Sequence, residues 1–402
     1  MTKLVSDTIN RDDINALIEW LQQDPIPRLT KGDLTSKLEK KWAKKIGTKY
    51  SVYVNSGSSA ILLALAALNE SDRLKNNKIV VPALSWATDV SSPMLLGLDP
   101  IMCDCNLEDL SCDLKELESI FKQNNPAALI LVSPLGLVPR MQEVIELCKK
   151  YDVKLLEDVC ESMGSKYNNK YLGSFGFASF FSMYFGHHLS TIEGGFINTN
   201  DEDFYHMLLM MRSHGWDRDL PKWKQDELRK ENDCSNFDAL YNFYVPGFNL
   251  RATDLQAFIG LRAIDKLDNY VVKRTNNFNT YNSWITNNKL NLDNHTYNTI
   301  SNFAMPIMHT HRDNIVKDLI SADIEVRPLI AGNMASKPMW KDKYTIPNLP
   351  NAELIEKYGF YVPNHQDLTS QELSQITDII LSLIHISEPT RLLSISYAVF
   401  CL

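Results

Sequence analysis

Residues 127–159, AALILVSPLGLVPRMQEVIELCKKYDVKLLEDV, decide the fold, because two short apolar runs flank a segment with helical spacing. The apolar runs, 127–135 and 153–159, are typical of buried strands, and MQEVIELCKKY between them is typical of a helix. Further apolar runs occur upstream at 52–56 and 78–84. Strands that alternate with helices predict an α/β fold with a mostly parallel sheet, in which functional loops follow the strands.

The length of 402 residues predicts more than one structural unit. We expect a large domain with an N-terminal arm over 1–251 and a smaller C-terminal α/β domain over 252–384. The stretch 252–285 has apolar residues three and four apart, which predicts a long helical link between the two domains. The tail 385–402 resembles translated adapter or read-through sequence, and a native apolar tail is the alternative.

The composition is that of an ordinary globular protein, with 44% hydrophobic and 22% charged residues. The net charge of −8 argues against a nucleic-acid-binding surface spread over the chain. Residues 1–22 lack the apolar core of a signal peptide, and no apolar run approaches the roughly 18 residues of a membrane span. The sequence therefore predicts a cytoplasmic protein that binds neither nucleic acid nor membranes.

Seven cysteines, an odd number, predict reduced thiols rather than a disulfide framework. Three of them, Cys103, Cys105 and Cys112, lie close together in an apolar strand and the loop after it. They could be ligands of a metal or an iron–sulfur cluster, but CxC followed by six residues and one Cys is not a common ligand spacing. We favour packing thiols and expect no metal site.

Two segments at strand ends are suited to a charged, planar ligand. In 55–60, NSGSSA, a glycine at a helix start predicts an anion site with the hydroxyls of Ser58 and Ser59, and a plain helix N-cap is the alternative. In 155–161, LLEDVCE, an apolar strand ends in acids, so that Asp158 could pair with a cationic ring nitrogen. A solvated acid at the end of a strand is the alternative there.

Two further segments carry residues suited to proton transfer and to ring stacking. The loop 182–195, SMYFGHHLSTIEGG, places His187 beside His188, and a neutral imidazole moves protons readily near physiological pH. A surface pair or a metal site is the alternative, although adjacent histidines point apart. In 82–88, PALSWAT, Trp86 could stack on a flat ring, with a core tryptophan as the alternative.

Read in order, several motifs resemble the DegT/DnrJ/EryC1/StrS family of nucleotide-sugar aminotransferases, from about Pro25 to about Ile384. The motifs are VNSGSSA, VPALSWAT, LLEDVCESMGSKYNNKYLGSFG, SMYFGHHLSTIEGG, RSHGW and GFNLRATDLQAFIGL. The resemblance implies the type I fold of pyridoxal-phosphate-dependent transferases (the aspartate aminotransferase fold), with a large mixed, mostly parallel sheet and a smaller C-terminal domain. It also implies pyridoxal 5'-phosphate (PLP) and pyridoxamine 5'-phosphate (PMP) as cofactors.

The resemblance implies a role for each residue that matches a family motif. The residues implied to bind the cofactor are Ser58, Ser59 and Ser182 at its phosphate, Trp86 on its ring, Asp158 at the ring nitrogen and Glu161 near the ring hydroxyl. Asn249, in GFN, is implied to reach the phosphate from the neighbouring subunit, so that a homodimer shares its active sites. His214, in RSHGW, is a candidate for lining the substrate site. Arg327 could pair with a substrate phosphate or form a surface salt bridge.

The chain departs from the family at the residue that defines its chemistry. The family carries Ser, four residues and then a lysine that bonds covalently to the cofactor aldehyde, and the same offset from Ser182 gives His187 here. An imidazole cannot form that stable bond, but it can remove a proton as the catalytic base. The histidine form resembles the sugar 3-dehydratases, and FGHHLSTIEGG looks most like those that act on GDP-4-keto-6-deoxy-D-mannose. This implies loss of the C3 hydroxyl from a nucleotide-linked 4-keto-6-deoxyhexose, with glutamate as amino donor, in deoxysugar or O-antigen biosynthesis.

Three other functions stay open. An aminotransferase would need another lysine, and none lies in the 182–195 block. An iron–sulfur-dependent dehydratase would carry a cysteine-rich insert after RSHGW, where Cys234 stands alone. A non-catalytic scaffold or regulator would have no need of Asp158, Ser182 and Trp86 together.

Overall fold

The computed structural model describes residues 1–285, 288–290, 292 and 298–382. The predicted non-native tail, 385–402, lies outside the described residues. The helices are α1 (Arg11–Leu21), α2 (Asp33–Ile46), α3 (Gly57–Glu70), α4 (Ala87–Leu95), α5 (Leu114–Asn124), α6 (Met141–Lys150), α7 (Glu202–Arg212), α8 (Lys222–Glu231), α9 (Asp254–Ala263), α10 (Leu267–Trp284), α11 (Arg312–Ser321), α12 (Pro338–Lys341), α13 (Pro350–Tyr358) and α14 (Ser370–Ser382). The strands are β1 (Tyr50–Val54), β2 (Lys78–Pro82), β3 (Asp99–Cys103), β4 (Ala128–Val132), β5 (Lys154–Asp158), β6 (Lys166–Tyr167), β7 (Lys170–Tyr171), β8 (Ala178–Ser182), β9 (Gly195–Thr199), β10 (Ala304–Met308), β11 (Arg327–Pro328) and β12 (Gly359–Pro363).

A seven-stranded sheet, in the order β1-β9-β8-β5-β4-β2-β3, forms the centre of the molecule. The five strands from β8 to β3 run parallel to their neighbours, whereas β9 is antiparallel to both β8 and β1. Helices precede or follow most of these strands, so the expected α/β fold with a large, mostly parallel sheet is confirmed. The apolar runs at 78–84, 127–135 and 153–159 contain β2, β4 and β5, and the run at 52–56 overlaps the end of β1.

The parallel strands place the ends of the predicted motifs at one edge of the sheet. Asp158 is the last residue of β5, Ser182 is the last residue of β8, and Trp86 follows β2 by four positions. Because parallel strands present their carboxyl ends at the same edge, the loops after β2, β5 and β8 lie side by side. The helix α3 also begins at this edge, directly after β1, and packs against β8 and β9.

A second sheet of three antiparallel strands, in the order β10-β12-β11, lies in the C-terminal part of the described chain. The helices α11 and α13 contact its central strand, β12, and α14 packs on α10 and α11. The helices α9 and α10, joined by a short 3-10 turn at Ile264–Lys266, cover the stretch that the sequence predicts as a helical link. The predicted domain boundary at residue 251 stays a prediction.

Arg274 of α10 is fully buried and ties this helix to the segments beside the second sheet. Its guanidinium donates hydrogen bonds to the backbone carbonyls of Asn302, Phe303 and Asn364. These bonds hold the chain that carries Phe303, which reaches the cavity described below.

Cys103, Cys105 and Cys112 are buried in the hydrophobic core as free thiols. Within the described ranges, no three His, Cys, Asp or Glu side chains are grouped as they would be around a metal ion. Among the helices of the described part of the chain, none is both long and apolar enough to cross a bilayer.

Candidate active site

A cavity of about 580 Å³ lies at the carboxyl edge of the large sheet. Seven of the ten predicted site residues line it: Ser58, Trp86, Asp158, Glu161, Ser182, His187 and Arg327. They come from segments that are far apart in the sequence, and the parallel strands bring them together. Ser59, His214 and Asn249 are not among the lining residues.

One end of the cavity is formed by the start of α3. Ser56 is the N-cap residue, and its hydroxyl accepts a hydrogen bond from the Ser59 backbone N–H at 3.0 Å and donates one to the Ser59 hydroxyl at 2.9 Å. The capping role that the sequence left open therefore belongs to Ser56, and it engages Ser59. Ser58 is exposed to the cavity, with its hydroxyl 2.9 Å from that of Thr88. Free N–H groups at a helix start are suited to binding an anion.

Gly57 brings this helix start close to β8. A Cβ at Gly57 would lie 2.7 Å from the Cβ of Ser182, closer than side chains tolerate. Glycine at this position therefore allows Ser58 and Ser182 to line the same end of the cavity.

The floor of the cavity carries a buried carboxyl pair. Asp158, at the end of β5, accepts a hydrogen bond from the Cys160 backbone N–H at 2.9 Å. Asp89 of α4 lies beside it with its side chain fully buried. Burial raises the pKa of Asp158 above its ordinary value, and hydrogen bonds from Cys160 and Asp89 oppose that rise. A ligand with a ring N–H⁺ would give these acids the cationic partner that they lack among the described residues.

The His187 ring forms part of the cavity wall. It packs edge-on against Phe303, with the ring centroids 5.6 Å apart, and against Tyr184, at 6.1 Å. Its Nδ1 is enclosed and has no hydrogen-bond partner in the described residues. Burial lowers the pKa of His187 to about 4, a backbone hydrogen bond with Ser182 opposes this shift, and the charge of Arg274 adds to it. The imidazole is therefore neutral at physiological pH and can accept a proton.

His188 points away from the cavity, as expected for the neighbour of His187. Its side chain is completely buried, and Nε2 lies 2.8 Å from the backbone carbonyl oxygen of Ser301. Burial and the Arg274 charge lower its pKa well below the ordinary value, so the neutral ring donates this bond from Nε2. His188 thus binds the 182–195 loop to the segment that carries Phe303.

Glu161 and Arg327 also line the cavity. Glu161 Oε2 accepts a hydrogen bond from the Leu135 backbone N–H at 3.0 Å. Burial raises the pKa of Glu161 to about 7, the bond from Leu135 opposes the shift, and the nearby charge of Asp158 adds to it. Arg327 is exposed at the cavity mouth, where one guanidinium N–H donates to the Val326 carbonyl at 2.9 Å. The Arg327 charge is free to meet an anionic ligand.

Asn249 and His214 do not line the cavity. Asn249 is exposed, pairs with Ser213 through the backbone and accepts a hydrogen bond from Arg251 Nε at 3.0 Å. His214 has a positive φ of 64°, and its ring packs edge-on against Trp216 with the centroids 5.2 Å apart. The structure therefore places neither residue within the cavity, and it leaves Asn249 exposed.

Several lining residues escaped the sequence analysis. Asp89 lies three residues after Trp86, the N-cap residue of α4, a spacing that places the two on the same side of the helix start. Phe303, Glu325 and Tyr361 come from the C-terminal part of the chain and carried no motif. Leu4 also lines the cavity, and its backbone N–H donates to Glu325 Oε2 at 2.8 Å. Only the fold reveals that these segments meet.

Comparison with known proteins gives a consistent set of relatives. A GDP-4-keto-6-deoxy-D-mannose 3-dehydratase of Escherichia coli O55:H7 is 34% identical over 362 residues, covering 87% of this chain and 92% of that protein. The enzyme of the same name from Yersinia pseudotuberculosis is 32% identical over 388 residues, covering 94% of this chain and 97% of that protein. A crystal structure of GDP-4-keto-6-deoxymannose-3-dehydratase with a trapped PLP-glutamate geminal diamine has a TM-score of 0.86 and 32% identity, covering 94% of this chain and 100% of that chain. The model of the DegT/DnrJ/EryC1/StrS aminotransferase family matches residues 7–381, and the chain belongs to that family.

Proposed function

We propose that this protein is a PLP- and PMP-dependent 3-dehydratase that removes the C3 hydroxyl of GDP-4-keto-6-deoxy-D-mannose, with glutamate as amino donor. The observation that carries the proposal is the neutral His187 imidazole in the cavity wall, where no lysine is found among the described lining residues. The two relatives that bear this name, at 32% and 34% identity, support the substrate. A cytoplasmic location and a role in deoxysugar synthesis for O-antigen follow from the same proposal.

The cavity fits the cofactor at three points. The start of α3, with Ser58 and the adjacent Ser182, would hold the phosphate, since both line one end of the cavity. Trp86, which is 61% exposed and lines the cavity, offers a free face for stacking on the ring. Asp158 would accept the ring N–H⁺, and Glu161 would lie by the ring hydroxyl. We assign Ser59 a supporting role at the phosphate through its bonds to Ser56.

When bound, the cofactor supplies an amine that condenses with the C4 ketone and a ring that accepts electrons. His187 would take up the proton that the bound cofactor releases, because its neutral ring lines the cavity. The imidazolium then returns this proton to the departing C3 hydroxyl, so that one ring serves as base and then as acid. Phe303 and Tyr184 hold the ring edge-on, which fixes the direction of transfer. Arg327 would meet a substrate phosphate at the cavity mouth, and His214 would contact the substrate from the adjacent surface.

We propose that the functional unit is a homodimer with shared sites. Asn249 is exposed and lies outside its own cavity, as expected for a residue that completes the phosphate site of a neighbouring subunit. The surface around it carries the exposed side chains of Phe237, Tyr241 and Phe243, which are 79%, 77% and 52% exposed. Apolar surface of this kind is typical of subunit contacts.

The direct test is to incubate the purified protein with PLP, glutamate and GDP-4-keto-6-deoxy-D-mannose and to measure ammonia and the sugar product. We expect stoichiometric ammonia and a 3-deoxy-4-keto sugar. A His187→Gln variant, which is close in size and cannot act as a base, should release no ammonia. A stable 4-aminosugar would instead make the protein an aminotransferase, and a failure to bind PMP in an absorbance titration would make it a scaffold.

A further inference from the structure

Asp89 is a cavity residue to which neither the motifs nor the proposed reaction gives a role. It occupies the first turn of α4, three residues after Trp86, and its side chain is 0% exposed. Neither of its carboxyl oxygens accepts a hydrogen bond from any donor in the described part of the chain. Asp89 lines the same cavity as Asp158, which lies at the end of β5, and each of the two carboxyl groups influences the pKa of the other. Burying a carboxylate without a hydrogen-bond donor destabilises the folded protein, because the lost hydration of the charge is not replaced. The position of Asp89 therefore requires an explanation.

The groups around Asp89 are acidic. Asp158 at the end of β5 and Glu161 in the loop after it both act on Asp89, and Asp89 acts on the thiol of Cys160. Each of these groups would add negative charge if ionised. The basic side chains among the described cavity-lining residues are His187, which is neutral, and Arg327, which is exposed at the mouth. Two adjacent buried carboxyl groups cannot both be ionised at neutral pH, so one of them keeps a proton.

The surroundings decide which carboxyl keeps the proton. Asp158 accepts the Cys160 backbone N–H at 2.9 Å, which stabilises its charged form, whereas Asp89 accepts no such bond. Burial, followed by the charge of Asp158, raises the pKa of Asp89 well above the ordinary value. Burial also raises the pKa of Asp158, but the hydrogen bonds from Cys160 and Asp89 lower it and so oppose the effect of burial. The proton therefore resides on Asp89, and its O–H points to Asp158.

We infer that Asp89 is a positioning residue that stays protonated and donates a hydrogen bond to Asp158, holding that carboxylate as the acceptor for the cationic ring nitrogen of the cofactor. The inference rests on the proposed use of PLP and PMP. Asp158 then has two fixed donors, the Cys160 N–H and the Asp89 O–H, and keeps a lone pair for the ring. One carboxylate faces one ring cation, so the buried charges balance when the cofactor is bound.

The test compares three proteins by titrating PMP into the cofactor-free dimer and following absorbance and fluorescence between pH 6.5 and 9. Asp89→Asn keeps a neutral donor of the same shape, and we expect its PMP dissociation constant to stay within about threefold of wild type at every pH. Asp89→Leu keeps the volume without a donor, and we expect PMP binding at least about tenfold weaker. If Asp89→Asn loses as much affinity as Asp89→Leu, Asp89 acts through a negative charge and the inference is overturned.

A second measurement does not depend on the cofactor or on the leucine variant folding well. When the pKa of an acid is higher in the folded chain than in the unfolded chain, the free energy of unfolding falls as pH rises. The reason is that unfolding releases the proton that the folded chain still holds. The melting temperature of cofactor-free wild type should therefore fall more steeply from pH 6 to 8 than that of Asp89→Asn. Equal slopes would show that Asp89 is ionised in the folded protein. Wild type that binds PMP normally but forms no deoxysugar would overturn the proposed function and leave this inference standing.

Discussion

His187 is held neutral by its surroundings, and this determines how the reaction should depend on pH. With a pKa of about 4, the ring stays unprotonated from about pH 5 upward, so its base form does not limit the rate near neutrality. We expect kcat/KM for the sugar, measured on enzyme preloaded with PMP, to stay level between pH 5.5 and 6.5. An acidic limb centred near the ordinary histidine value of about 6.5 would contradict this.

Glu161 should determine how kcat/KM for the sugar depends on pH above 7. Its pKa of about 7 means that the carboxyl loses its proton within the physiological range, which removes a donor from the cavity wall. We expect kcat/KM to decline above pH 7 in wild type. The decline should disappear in Glu161→Gln, which keeps a neutral donor at all pH values. A decline of unchanged midpoint in that variant would assign the alkaline limb to another group.

Replacing His187 by lysine should allow the covalent bond between a lysine amine and the cofactor aldehyde that other members of the family form. The residue lines the cavity next to Ser182, so a lysine amine there can reach the cofactor aldehyde. We expect borohydride treatment of His187→Lys with PLP to add the cofactor mass irreversibly at position 187, as read by peptide mass spectrometry. His187→Gln treated in the same way serves as the control and should not be labelled. An unlabelled lysine variant would mean that position 187 does not face the aldehyde.

Among single residues, the sequence motifs identified the site residues that lie at the ends of strands. They missed the site residues whose position depends on contacts between distant parts of the chain. Asp158 and Ser182 end strands, and Trp86 and His187 follow strands. The rule that sites lie at strand ends was enough to group them. Asp89 and Phe303 were missed because their place in the cavity depends on helix orientation and on a crossing of remote segments. Asn249 lies in a motif, but a single chain cannot show whose cavity it serves.

The helix α3 must approach β8 closely, and Gly57 makes this possible. An alanine there would place its Cβ 2.7 Å from the Cβ of Ser182. We expect Gly57→Ala to lower the free energy of unfolding by about 1–3 kcal/mol and to weaken PMP binding, because the phosphate end of the cavity must widen. Gly186→Ala is the matched control, since its Cβ would meet only the flexible ring of Tyr184 at 3.2 Å. Urea unfolding of both variants makes the comparison.

The start of α2 is capped from another helix. Gly32, its N-cap residue, has no side chain, and Asp254 of α9 instead accepts the backbone N–H groups of Gly32, Leu34 and Thr35 and the Thr35 hydroxyl. We expect Asp254→Ala to destabilise the protein by about 2–4 kcal/mol in urea unfolding, because these donors lose their acceptor. Asp254→Asn retains one oxygen and should lose less. Equal losses would locate the effect elsewhere.

The elements themselves were predictable to different degrees. Apolar runs located β2, β4 and β5 because buried strands of a parallel sheet are continuously apolar. The same runs could not show that β1 pairs with β9 in antiparallel orientation, because the residues of a strand do not determine which strand lies beside it. The stretch 252–285 was predicted as helical, but the turn at Ile264–Lys266 that divides α9 from α10 has no proline or glycine to signal it.

At the scale of the whole molecule, shared active sites can be tested by mixing defective subunits. In a dimer of one His187→Gln and one Asn249→Ala subunit, one site carries both changes and the other carries neither, if Asn249 serves its partner. Equal mixing with subunit exchange should therefore restore about a quarter of wild-type ammonia release. Each variant alone is the control. If both variants are inactive alone, no recovery despite demonstrated exchange would mean that Asn249 acts within its own subunit. An Asn249→Ala protein that is active alone would mean that Asn249 has no role at either site.

The cavity draws its wall from Leu4 at one end of the chain and from Tyr361 near the other. At about 5–20 residues per second, Leu4 is synthesised about 20–70 s before Tyr361. The vitamin-derived cofactor therefore has no complete pocket to enter during translation. We therefore expect the cofactor to bind only after the segment that carries Tyr361 has been synthesised and has completed the cavity wall.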